Sequence, residues 1–213
     1  MIFDDRRAAG HLLSERLTSY QNPQTIILGL ARGGVEVARA IADDLNEPLD
    51  VLVVKKIPAP RNPELAIGAV APDNIIVLDD ELIKRLSVDK EYIYEIIVSL
   101  RTCIEVATLQ YDGARLQVSL KGKDIILTDD GIATGATVEA AIAWCRKKQA
   151  HSIILAVPVA PKEVIARIAR QVDDCVVLTD PREFRAVGQF YRNFTQLTDA
   201  DVNRSLAKEP LRR

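Results

Sequence analysis

The chain has 213 residues, 48% of them hydrophobic and 27% charged, with 28 lysines and arginines against 30 aspartates and glutamates. Such a chain can bury roughly two thirds or more of its unfolded surface without staples, and it is expected to form a single domain over residues 1–213. A net charge of -2 excludes a polyanion-binding surface as the default; with no secretory leader and no bilayer-length apolar stretch legible, a cytoplasmic protein without membrane or nucleic-acid partners is expected.

Residues 6–20 carry Ala9, Leu12, Leu13 and Leu17 at helical spacing, and Asn22-Pro23 ends that helix. A short apolar run at 25–28 predicts a strand, Ala31-Arg32-Gly33-Gly34 a tight loop, and 35–45 a helix with Val37, Ala38, Ile41 and Leu45 inward. Residues 49–54 are the next buried strand, completing a β-α-β unit whose crossover should be right-handed. Between 55 and 63, Pro58, Pro60 and Pro63 argue against helix and interior strand alike, so this stretch reads as a loop with cations at its base and tip.

Residues 65–70 and 75–78 read as two short strands forming a hairpin around Pro72-Asp73-Asn74. A long helix over 89–110, or two shorter ones, leads through a connector at 113–123 to another strand. Strands at 152–157 and 174–178 then flank a helix at 161–171 that opens with a proline in its first turn. This alternation implies an α/β fold, a doubly wound, mostly parallel sheet with helices on both faces. After Asp180 the aromatic residues Phe184, Phe190, Tyr191 and Phe194 follow no clean period and read as packing groups, and 208–213 read as a frayed basic end.

Cys103, Cys145 and Cys175 lack metal-ligand spacing and read as small buried hydrophobes in a reducing compartment. His11 and His151 read as solvated or core-edge residues.

The most informative segment is 125–137, Ile-Ile-Leu-Thr-Asp-Asp-Gly-Ile-Ala-Thr-Gly-Ala-Thr. An apolar strand ends in two carboxylates, and a small-residue loop then opens a helix. Backbone N–H groups of such a loop, with the Thr134 and Thr137 hydroxyls and the helix dipole, can wrap a phosphate monoester, while the carboxylates can grip ribose hydroxyls. The alternative is an ordinary strand–turn–helix link in which Asp-Asp-Gly makes the turn.

This segment resembles the phosphoribosyl-diphosphate (PRPP) motif of type I phosphoribosyltransferases, with Asp129, Asp130, Thr134, Gly135 and Thr137 on the pattern. Thr128 stands where the pattern has an apolar residue. Gly131 stands where it has a branched one, and its flexibility is expected to loosen the acidic pair.

The resemblance implies the family's fold with a small hood built from the chain margins. It also implies a catalytic pair, Asp129 and Asp130, contacting the ribose hydroxyls, and a 5′-phosphate loop of Ala133, Thr134, Gly135, Ala136 and Thr137. Ala31, Arg32, Gly33 and Gly34 resemble the pyrophosphate loop, where a strained peptide often precedes the anion site. Lys55 and Lys56, a solvated pair by spacing alone, take a pyrophosphate role, and 57–64 becomes a lid with Arg61 at its tip, stiffened by its prolines.

The implied activity is Mg²⁺-dependent transfer of a phosphoribosyl group from PRPP to a nitrogenous acceptor in nucleotide metabolism, with the ion held by substrate and water rather than by a protein cage. The partners are then PRPP and an acceptor the sequence does not identify, with a homodimer left open. A PRPP-sensing regulator without catalysis is the alternative. A dinucleotide-dependent oxidoreductase built on Gly29 to Gly34 fails, because Gly-x-x-x-Gly-Gly is not Gly-x-Gly-x-x-Gly.

Overall fold

The computed structural model describes residues 1–111 and 119–207. The connector at 113–123 falls mostly, and the basic end at 208–213 wholly, outside them.

Helix α1 (Arg6–Leu17) starts where the Asp5 carboxylate accepts a hydrogen bond from the Ala8 N–H at 2.8 Å, and it ends in a single 3₁₀ turn before Pro23. Strand β1 (Thr25–Leu30) is buried along its whole length and feeds α2 (Gly33–Leu45), which ends at Asn46 in the left-handed region. Strand β2 (Leu49–Leu52) is two residues shorter than its apolar run suggests.

Next come strands β3 (Lys55–Ala59), β4 (Asn62–Ala71) and β5 (Ile75–Leu78), then helices α3 (Asp80–Leu86) and α4 (Lys90–Tyr111). After the connector the chain alternates β6 (Asp124–Thr128), α5 (Ala136–Lys147), β7 (Ser152–Val159), α6 (Lys162–Ile168) and β8 (Asp174–Thr179), and closes with α7 (Asp199–Leu206).

Five strands form a parallel sheet in the order β2-β1-β6-β7-β8. Both of its faces are covered, which explains why its strands read as unbroken apolar runs. Ile27, Ile126 and Ile154 point to the face where Leu13, Leu17, Val35 and Ile41 of α1 and α2 pack. Their neighbours Leu28, Ile125, Leu127 and Leu155 point to the other face, against Val138, Ile142, Val164 and Ile168 of α5 and α6. Among the described residues no helix is long and apolar enough to cross a membrane.

The stretch 55–63 is a correction. It is a β-hairpin, with Pro60 and Arg61 in the turn between β3 and β4, and it belongs to a three-stranded antiparallel sheet, β3-β4-β5. β3 is an edge strand with register shifts on either side of Pro58, so the missing N–H costs no regular ladder bond. The turn between β4 and β5 forms as expected, Asp73 and Asn74 both taking positive φ. Asp73 accepts hydrogen bonds from Trp144 Nε1 and Lys148 Nζ, each at 2.8 Å, tying this sheet to α5.

Helices α3 and α7 lie where no element was expected, although each has a legible cap: Asp79 accepts from the Leu82 N–H, and Thr198 pairs reciprocally with Asp201. Cys145 is buried as expected and Cys175 half-buried, but Cys103 is exposed on α4. His11 and His151 are exposed and pair with Asp44 and Asp124.

Candidate active site

Along the chain, β1 leads to β2 on one side of the sheet, and β6 to β8 lie on the other, so the strand order reverses between β1 and β6. Ligands of doubly wound sheets bind beyond the carboxyl ends of the strands at such a point. A cleft of about 410 Å³ lies there, lined by Ala31, Arg32 and Gly33 after β1, Lys55 and Lys56 at the start of β3, and Asp129 to Gly135 with Thr137 after β6. Val54, Ile132 and Val187 complete its wall.

The N-termini of two helices meet this cleft. Gly135 caps α5 at φ +89°, a conformation side chains disfavour, and leaves the first N–H groups of that helix beside Thr134 and Thr137. At the start of α2, Gly34 is there for proximity: a Cβ would stand 2.7 Å from the Thr128 carbonyl oxygen and 2.8 Å from Asp129 Cα. The peptide bond between Ala31 and Arg32 is cis.

Asp129 and Asp130 are adjacent, and the Asp130 N–H donates to Asp129 Oδ1 at 2.8 Å. Burial first, and then the charge of Asp130, push the Asp129 carboxyl well above its ordinary value. Burial also raises Asp130, but the charge and hydrogen bond of Arg6 oppose the rise. Arg6 Nε stands 2.8 Å from Asp130 Oδ2. Behind the pair, the Tyr191 hydroxyl donates to the Asp130 carbonyl at 2.6 Å, and Tyr191 packs between Phe3 and Phe194 with ring centroids at 5.4 and 5.0 Å.

These contacts form a small hood from both chain margins, held by Phe3 N–H to the Phe190 carbonyl and Arg192 N–H to the Phe3 carbonyl, both 2.8 Å. The tail aromatics therefore pack against one another, as expected of residues without a period.

The expected site residues are mostly brought together. The exceptions are Gly34, which packs behind the cleft; Ala136, which lines a neighbouring hollow; and Arg61, which faces a separate cavity of about 660 Å³ between the hairpin tip and the junction of α3 with α4. Gly131 corrects its expectation. A Cβ there would lie 2.7 Å from Val187 Cγ1 and 2.8 Å from Val159 Cγ1, so the glycine serves close packing rather than looseness. Thr128 is fully buried, and its hydroxyl has no hydrogen-bond partner among the described residues.

Arg6 and Val187 were not singled out from the sequence, which offers no local signal for either. Among the described residues no group of three or more His, Cys, Asp or Glu side chains is arranged to hold a metal ion.

Comparison with known proteins agrees with this geometry. A family model described as the phosphoribosyl transferase domain matches residues 2–188. A Mycobacterium tuberculosis protein named "Putative phosphoribosyl transferase" is 40% identical over 201 residues, which are 94% of this chain but 45% of that protein, in each of two strains. The chain thus spans about half the length of the curated relatives it matches. The crystal structure of TT1426 from Thermus thermophilus is 38% identical and superposes with a TM-score of 0.81, covering 97% of this chain and 98% of that one.

Proposed function

The chain belongs to the phosphoribosyl transferase family, and from that premise we propose that it transfers a phosphoribosyl group from PRPP to a nitrogenous acceptor, releasing pyrophosphate with the help of Mg²⁺. The observation that carries this reading is the convergence, in one cleft, of two carboxylates, two helix N-termini and three cationic side chains, Arg32, Lys55 and Lys56.

The division of charge matches the reaction. Departure of pyrophosphate leaves positive charge on the ribose ring and negative charge on the leaving group. Asp129 and Asp130 face the ring and accept from its hydroxyls. The α5 N-terminus, with Thr134 and Thr137, holds the 5′-phosphate. Arg32, Lys55 and Lys56 meet the diphosphate at the α2 end of the cleft, where bound Mg²⁺ would supply further neutralisation of the leaving oxygens. Ile132 and Val187 border the cleft and leave the acceptor an apolar wall.

Calorimetry with Mg²⁺ and PRPP tests the pocket, and pyrophosphate release across nucleobases and small amines tests the chemistry. We expect saturable PRPP binding and release strongly accelerated by one class of acceptor. Absence of PRPP binding would remove the reading altogether. Binding without accelerated release by any acceptor would replace it with the PRPP-sensing role.

A further inference from the structure

The acidic pair has a third member. Arg6 is the first residue of α1, and its side chain is 7% exposed. Its Nε donates to Asp130 Oδ2 at 2.8 Å, its Nη1 donates to the Thr195 carbonyl at 2.9 Å, and its guanidinium carbon lies 3.9 Å from the centroid of the Phe194 ring. One planar cation therefore holds the start of the chain, the end of β6 and the tail after β8 at a single point. A buried arginine with this many partners has one available orientation, and it passes that orientation to the carboxylate it grips.

We propose that Arg6 is a positioning residue of the site: its guanidinium occupies one oxygen of Asp130 and turns the other toward the ribose, fixing the carboxylate that stands beside Asp129. The role in substrate binding rests on the PRPP reading above. The role in setting the pair does not.

Two further observations point the same way. A Cβ at Gly33 would stand 1.9 Å from Asp130 Oδ2 and 3.1 Å from Arg6 Nε, so the chain leaves room at that position for the ion pair. The charge of Arg6 also opposes the rise that burial imposes on both carboxyls. The other groups acting on the pair or lining its cleft are Lys55 and Lys56 of β3, Arg32 ahead of α2, and Tyr191 of the tail. Asp5 bears on Tyr191, and Glu36 of α2 faces Arg6 in turn. Lys56 is exposed and acts on both carboxyls, on Asp129 more than Arg6 does, whereas Arg6 is buried in direct contact with Asp130, so Asp130 is the carboxyl that should feel the loss of Arg6 most.

The test is a carboxyl ¹³C NMR titration of ligand-free protein labelled at aspartate, with Asp129→Asn and Asp130→Asn as assignment controls. In Arg6→Gln the pair should titrate at least about one pH unit higher than in the native chain, and Arg6→Lys, which keeps the charge, should restore part of the difference. Mg²⁺–PRPP affinity of Arg6→Gln should fall about tenfold at pH values below that at which its carboxyls ionise, and recover as pH rises through their titration. Unchanged titration in a folded Arg6→Gln protein would overturn the proposal, as would an Arg6→Lys protein that titrates like Arg6→Gln, or an affinity loss equal at every pH, which would mark Arg6 as mere packing. If the native chain binds no PRPP while the titration still moves, the PRPP reading fails and the positioning role stands.

Discussion

The wall of the cleft from Asp129 to Thr137 is continuous along the chain; a second wall, Arg6, Tyr191 and Phe194, backs the acidic pair and comes from the chain's opposite margins. The first wall is a strand, a loop and a helix whose geometry is set by neighbours within a dozen residues. The second exists only because α1 and the tail meet over β6, through a contact that spans 124 positions between Arg6 and Asp130. Local wiring gives a wall that can be read and altered position by position. Nonlocal wiring gives one whose parts fail together, since Arg6, Phe194, Tyr191 and Asp130 share a single network.

The largest test of this contrast is removal of charge from the local wall. If the proposed transfer is the activity, Asp129→Asn and Asp130→Asn should leave the fold intact while at least one lowers phosphoribosyl transfer by about tenfold or more, since each would remove a charge facing the developing cation. Stability should move the other way for Asp129→Asn. A carboxyl whose folded value is raised loses stability as pH climbs from its unfolded value toward the folded one, so above that window the native chain carries a penalty that asparagine lacks. The variant should therefore melt higher than the native protein at neutral pH, and the gap should close as pH falls below the ordinary carboxylate range. A lower melting temperature at neutral pH would show that the carboxylate is held by partners rather than strained by burial.

Within the same wall, Thr134→Val or Thr137→Val should weaken PRPP binding by about 1.5–3 kcal/mol, the scale of a hydrogen bond to a charged group, as measured by calorimetry. Behind the local wall, Gly34→Ala forces a methyl against the backbone at Thr128 and Asp129, which cannot turn aside as a side chain would. Denaturant unfolding should show a loss of about 1–3 kcal/mol. The smallest effect belongs to the nonlocal wall: Tyr191→Phe removes only the hydroxyl that reaches the Asp130 carbonyl and should cost about 0.5–1.5 kcal/mol. If that cost exceeds the cost of Gly34→Ala, the hood is a larger part of the fold than its peripheral position suggests.

How much was legible follows from the same distinction. The parallel strands were readable because burial on both faces makes each an unbroken apolar run, and helices α1, α2 and α4 because one face of each is apolar. The hairpin at 55–71 was misread because its prolines were weighed as local chain-breakers. An edge strand with an irregular register tolerates them, and edge or centre is decided only when the sheet assembles. Helix α3 is short and largely exposed, so it shows little periodicity. Gly131 illustrates a further limit, since its close neighbours Val159 and Val187 lie 28 and 56 positions away.

The sequence by itself determined the doubly wound core and the strand–loop–helix wall from Asp129 to Thr137, because strand patterning, turn residues and helix starts are short-range properties of the chain. Only the tertiary structure decided that Arg6 grips Asp130, that Lys55 and Lys56 open an edge strand at the rim of the cleft while Arg61 faces another cavity, and that the tail aromatics pack as a hood. Those are meetings between residues far apart along the chain, fixed by which surfaces are left to be buried once the sheet has formed, and periodicity does not encode them.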